Sequence, residues 1–241
     1  MTTSSNDSKV PESTGPPLSP ITEIARLRLH DPKAIQNDEF RTKLHHARLA
    51  MEKFTGRTFY IMQEVQFLHH DDNFIYIVGE WNSLDQHYKE WIPSQENQDI
   101  LGSLQNDITV QWIFHIDMPH AELPLPKTEE ERLKAIRGQV IYSLERYVIK
   151  EGKRFHFDHA FKRLGRIYKE YITQVNGGTL GAGWILEKTQ DMDSFCIMST
   201  WASVAEHTKW RDEDESLEYA SIEDHVMENM IQTDHVMLLD I

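Results

Sequence analysis

The sequence predicts an α+β chain made of two copies of one unit, each a four-stranded antiparallel sheet with helices on one face. Three observations carry that expectation. First, Trp81-Asn82-Ser83-Leu84-Asp85-Gln86-His87 is matched by Trp201-Ala202-Ser203-Val204-Ala205-Glu206-His207, with Trp, Ser and His at equal spacing. Second, the helix stripe Phe40, Leu44, Ala47, Met51, Phe54 has the same 4, 3, 4, 3 spacing as Phe157, Phe161, Leu164, Tyr168, Tyr171. That spacing is the buried face of an amphipathic helix. Third, Pro119, Pro124 and Pro126 break the chain nearly at its middle. A repeat of this period identifies the architecture before any single element does.

The elements follow in order. Residues 1–20, with Pro11, Pro16, Pro17 and Pro20, read as a disordered lead-in. The first unit, 21–117, places strands at Ile21–Leu29, Phe59–Leu68, Phe74–Trp81 and Ile108–Asp117. Residues 118–138 are a linker with a short charged helix. The second unit, 139–241, places strands at Gln139–Ile149, Ala182–Lys188, Phe195–Trp201 and Thr233–Asp240. The joints His69–Asn73 and Thr189–Ser194 are short and Asp-bearing, so strands two and three form antiparallel hairpins. Ser83 and Ser203 stand where an N-cap opens the second helix. The next tryptophan lies ten residues after Trp81 but nine after Trp201, at Trp91 and Trp210. Strands such as Ile75-Tyr76-Ile77-Val78 are apolar on both sides, the pattern of a sheet covered on both faces. Two sheets that bury their bare faces on each other satisfy this.

Composition narrows the function. The formal net charge of −14 opposes binding to nucleic acid or anionic membrane, since both need clustered Lys and Arg. The single cysteine, Cys196, precludes an internal disulfide and a Cys-based zinc site. The polar start, with no apolar run long enough to span a bilayer, makes a soluble cytoplasmic protein the expectation. Phosphate-binding, dinucleotide-binding, hydrolase and His-Glu-x-x-His signatures are missing from the sequence. Gly177-Gly178-Thr179-Leu180-Gly181 reads as a connection, not a nucleotide loop.

The strand ending in Trp81 or Trp201, followed by a Ser-headed helix with His87 or His207, resembles the dimeric α/β-barrel superfamily, in its antibiotic-biosynthesis-monooxygenase-like branch. The resemblance covers about 21–117 and 139–241. It implies ferredoxin-like repeats forming a pseudo-dimeric α/β barrel within one chain. It also implies a choice among cofactor-free monooxygenases, polyketide cyclases, haem-degrading enzymes, haem peroxidases and muconolactone-type isomerases. Fold does not choose among these.

His87 and His115 are the candidate general bases, and Glu80 a candidate acid or base in an apolar strand. His207 and His235 are their partners in the second half. Tyr76, Trp81, Trp91 and Trp112 are candidates for an aromatic ligand wall. His156 and His159, spaced i, i+3 around Asp158, fall off the apolar stripe, so no metal is expected there. The reading is a biosynthetic enzyme without a cofactor, haem being a minor alternative, that oxygenates an aromatic or polyketide-type molecule. The first half is expected to carry the site, as a monomer or homodimer. A cyclase or isomerase and a non-catalytic binding protein are the alternatives.

Overall fold

The computed structural model describes residues 20–65, 74–189, 191–210 and 212–241. The expected lead-in and the His69–Asn73 turn, with His69 and His70, lie outside the described residues.

The eight strands are β1 (Ile21–Leu29), β2 (Phe59–Glu64), β3 (Phe74–Trp81), β4 (Ile108–Ile116), β5 (Ile141–Ile149), β6 (Leu180–Thr189), β7 (Met192–Trp201) and β8 (Val226–Leu238). They close into an antiparallel barrel in the order β1-β3-β2-β8-β5-β7-β6-β4. Each half contributes the order 4-1-3-2, so the predicted ferredoxin-like repeats and their single-chain α/β barrel are both present. Two seams join the halves. Met62 pairs with Leu238 between β2 and β8, and Ile116 with Ile185 between β4 and β6. Closure leaves no open sheet edge.

Alternate residues of each strand face opposite ways. One face fills the lumen with Ile24, Met62, Tyr76, Val78, Phe114, Tyr142, Leu144, Met198 and Val236. The other packs under helices. In the first half α1 (Asp38–Thr55) lays its expected stripe on Phe59, Ile61, Ile75 and Trp81. In the second half α4 (Arg154–Asn176) does the same with Phe157, Leu164 and Tyr168 against Phe195, Ile197 and Trp201. Asn37 caps α1 by accepting from Glu39 and Phe40, and Gly56 ends it at φ 68. Within the first half a π-helical turn (Gln86–Trp91) follows β3; Pro93 ends it, and α2 (Gln95–Leu104) starts from a Ser94 cap. The linker helix α3 (Glu129–Ile136) opens with a Thr128–Glu131 capping box. The second half has α5 (Val204–Trp210) and α6 (Asp214–Tyr219).

Sequence and structure differ most at β8, which begins at Val226 rather than Thr233. Its early part holds polar residues such as Gln232, but the ladder to β5, where Gln232 pairs with Arg146 and Val226 with Ile149, carries it as strand. The single helix expected after Trp81 is divided, because Pro93 has no N–H to continue it. Ser83 and Ser203 do accept from Gln86 and Glu206 at 3.1 and 3.2 Å, as caps should. Among the described residues no helix is long and apolar enough to cross a membrane.

Gly79 lies beneath the Phe59 ring, and a Cβ there would stand 2.0 Å from Phe59 Cε1. Gly79→Ala is therefore expected to lower unfolding free energy by about 1–3 kcal/mol, the range for overpacking a closed core. Urea denaturation of parent and variant checks it; equal midpoints would show that Phe59 moves aside freely.

Candidate functional site

The candidate residues divide between two faces of the same sheet. Tyr76 and Trp112 point into the lumen, their rings 6.1 Å apart. Glu80 lies at one end of the barrel, paired with Arg57 at 3.3 Å and accepting from the His120 N–H at 2.9 Å. Trp81, Trp91, His87 and His115 lie on the other face, under the helices. The seven residues therefore do not share one site.

His87 and His115 do meet. His87 Nδ1 is 2.7 Å from His115 Nε2, and His115 Nδ1 is 2.6 Å from Glu187 Oε1. The backbone N–H of His115 donates to the other Glu187 oxygen at 2.8 Å, and the Tyr88 hydroxyl donates to Oε1 at 2.9 Å. On the far side His87 Nε2 is 3.5 Å from Glu23 Oε2, which accepts from the Trp81 indole N–H. The His87 ring stacks on Trp81 at 4.2 Å. The chain Glu23–His87–His115–Glu187 thus runs from a buried carboxylate to a partly exposed one across the β4–β6 seam.

Burial sets the charges. Glu23 is pushed up to about 7, against weaker pulls from His115 and the Trp81 N–H. Burial, and then the neighbouring His115, bring His87 down to about 3, so its imidazole is neutral. Burial would raise Glu187, but its hydrogen bonds with His115 outweigh that and hold it below the ordinary carboxylate range.

The second half repeats the pair and changes its surroundings. His207 Nδ1 is 2.8 Å from His235 Nε2, and His207 stacks on Trp201 at 4.6 Å. Both pairs are separated by 28 residues, a recurrence in the sequence that would have found all four histidines. The strand registers equate Ile21 with Ile141, since these pair with Trp81 and Trp201. Glu23 therefore corresponds to Ser143, and Glu145 to Ala25. The carboxylate has moved two residues along the strand. Glu145 accepts from Tyr147 and Tyr168, both at 2.7 Å, and lies 3.7 Å from His207 Nε2. Tyr168 Oη is also 3.1 Å from that nitrogen. Burial raises the Tyr147 and Tyr168 phenols well above their ordinary value, so both stay protonated and donate. Glu145, Tyr147 and Tyr168 occupy the places of Ala25, Leu27 and Met51, polar groups where the first half has apolar ones.

Here there is also space. A cleft of about 620 Å³ is lined by Glu145, Tyr147, His207, Trp210, Leu217, Tyr219, Glu223 and Ile231. Its volume is that of a small-molecule or cofactor site. The buried Tyr219 hydroxyl on its wall faces Tyr147 without a hydrogen bond of good geometry. In the first half the corresponding region is closed by Trp91 and by Ile100 and Leu104 of α2, packed with Phe54. The cleft thus lies on the half that the sequence did not favour.

No family model and no curated protein matches the sequence. Solved structures do match the fold. A candidate monooxygenase from Fusobacterium nucleatum subsp. nucleatum aligns with TM-score 0.61 at 10% identity, over 92% of this chain and 93% of that one. An anthrone oxidase-like protein aligns with TM-score 0.60 at 10% identity, over 91% of each chain. Chlorite dismutase from Candidatus Nitrospira defluvii, in complex with imidazole, aligns with TM-score 0.52 at 10% identity, over 90% of each. These establish the dimeric α/β-barrel fold. They also correct the expectation of a chain that works without a cofactor, because chlorite dismutases are haem-dependent and share this fold.

The raised Glu23 gives a pH signature. Its folded form keeps a proton that the unfolded chain has lost between pH 4.5 and about 7. Stability from this group is complete below pH 4.5 and is lost as pH rises through about 7. In chelator-treated protein, Glu23→Gln is expected to melt with the parent near pH 4.5. It should exceed the parent at pH 8.5, by an amount approaching ~3 kcal/mol for about 2.5 pH units. A melting difference independent of pH would show that Glu23 is ionised throughout.

Proposed function

We propose that the protein is an enzyme of oxidative small-molecule chemistry whose site is the second-half cleft, with haem as its cofactor. The observation that supports this most is His207. One of its nitrogens is held by His235, and the ring borders a cleft of cofactor size. An imidazole that would hold a haem iron is commonly fixed at one nitrogen by such a neighbour; the second nitrogen of His207 now meets Tyr168 at 3.1 Å.

His207 would hold such a group through Nε2, with Trp210, Leu217 and Ile231 as apolar walls. No Lys or Arg is among the residues lining the cleft, so affinity would rest on His207 and apolar contact rather than on pairing with the propionates. When bound, haem supplies a redox-active iron for oxygen or oxyanion chemistry. The chain's own part is to orient His207 through His235, and to hold the Glu145 carboxylate with two protonated phenols. Tyr168 donates to Glu145 and stands 3.1 Å from His207 Nε2, a contact that His207 would give up in holding an iron.

The named relatives, a candidate monooxygenase and an anthrone oxidase-like protein, support oxidation as the reaction class. Tyr147, Trp210 and Tyr219 on the cleft wall support a planar aromatic or polyketide-type substrate.

Titration of the full chain with hemin tests the reading. A 1:1 complex with a shifted Soret band is expected, and His207→Ala should weaken it by at least tenfold and change the ligation spectrum. A parent protein that leaves the hemin spectrum unchanged would remove haem from the proposal. An unaltered spectrum in His207→Ala would place the ligand elsewhere.

A further inference from the structure

We propose that Glu23, His87 and His115 form a binding site for a divalent first-row transition-metal ion in the first half, apart from the second-half cleft. They come from β1, the π-helical turn and β4. They offer one carboxylate oxygen and two imidazole nitrogens within 4.8 Å of one another. All three are buried, His115 completely. Two imidazoles with one carboxylate suit Zn(II) or Fe(II).

The groups behind these three hold them in place. Glu187 takes His115 Nδ1 and the His115 backbone N–H, which aims Nε2 into the cluster. The Trp81 indole N–H fixes one oxygen of Glu23, and the Trp81 ring fixes the plane of His87. A carboxylate behind a ligating histidine is the usual support of a metal site.

The second half shows what the framework needs without an ion. It has the same Trp–His stack and His–His contact. Its indole N–H is satisfied by the neutral Ser199 at 2.9 Å, and Ser143 stands in the place of Glu23. The indole N–H therefore does not need a carboxylate as its acceptor for the Trp–His stack to form. Among the described residues neither Glu23 nor Glu187 pairs with Lys or Arg. A carboxylate buried without a cation, as Glu23 is, is costly, and a dication would balance it.

Metal entry has a defined cost. His87 Nδ1 and His115 Nε2 now share a proton at 2.7 Å. Bonds of ~2.0–2.1 Å in tetrahedral geometry set ligand atoms roughly 3.4 Å apart, so the ion replaces that proton and parts the rings by roughly 0.7 Å. His87 sits on a π-helical turn, a local irregularity frequent at functional sites.

The test is Zn(II) titration of the chelator-stripped full chain against a chromophoric chelator, with Co(II) as the optical probe. One Zn(II) per chain and visible Co(II) bands are expected. Glu23→Ala should weaken binding more than about 100-fold, and Glu187→Gln, at a partly exposed position, about 10- to 100-fold. His235→Ala should leave the affinity within about threefold. A parent that keeps its circular dichroism but takes up no stoichiometric Zn(II) overturns the proposal. So does binding that survives both Glu23→Ala and Glu187→Gln, or that His235→Ala abolishes.

Discussion

Closure of the barrel is the constraint on which the rest depends. Each half alone would expose an apolar sheet face and two open edges, and neither is stable in water. The seams at Met62–Leu238 and Ile116–Ile185 remove the edges, and the lumen is packed with side chains such as Tyr76, Phe114 and Met198. A filled lumen leaves the outer faces, beneath the helices, as the place for chemistry. The β4–β6 seam has a second consequence. It carries Glu187 of the second half to His115 of the first, so the buried histidine chain belongs to the whole barrel.

The barrel holds one device twice, a tryptophan stacked on a histidine that touches a strand histidine. The two copies differ in their surroundings. In the second half Tyr147, Tyr168 and Glu145 replace apolar residues, and a cleft stands beside His207. In the first half Trp91, Ile100 and Leu104 close that space, and the carboxylate moves to Glu23, directly behind the histidine pair. A single inserted residue accompanies this. Trp91 is one residue further from Trp81 than Trp210 is from Trp201, and the π-helical turn absorbs the extra residue, with the Ile92 N–H reaching back to the His87 carbonyl.

The two copies therefore suit different ligands. An open cleft with one supported imidazole suits a cofactor or organic molecule, whereas three buried donors within 4.8 Å of one another suit a bare ion. A carboxylate displaced by two residues along a strand, one full pleat repeat, is enough to make the difference.

The sequence by itself determined the fold. Stripe spacing, the repeated Trp-x-Ser-x-x-x-His segment and the central proline break specify paired sheets under helices, because periodicity reports which face is buried. It also marked His87 and His115, which do touch. Alternation already set Trp112 on the face opposite His115, and Tyr76 and Glu80 opposite Trp81; it could not show which face lines the lumen, because both are apolar and closure decides. β8 escaped in part for the same reason: its polar opening is strand only because β5 pairs with it. Glu23, Glu145 and Glu187 were silent in the sequence, since a carboxylate becomes notable only when burial and neighbours act on it. Which half holds the cleft was decided by tertiary packing alone, through the volume that α2 fills on one side and α6 leaves open on the other.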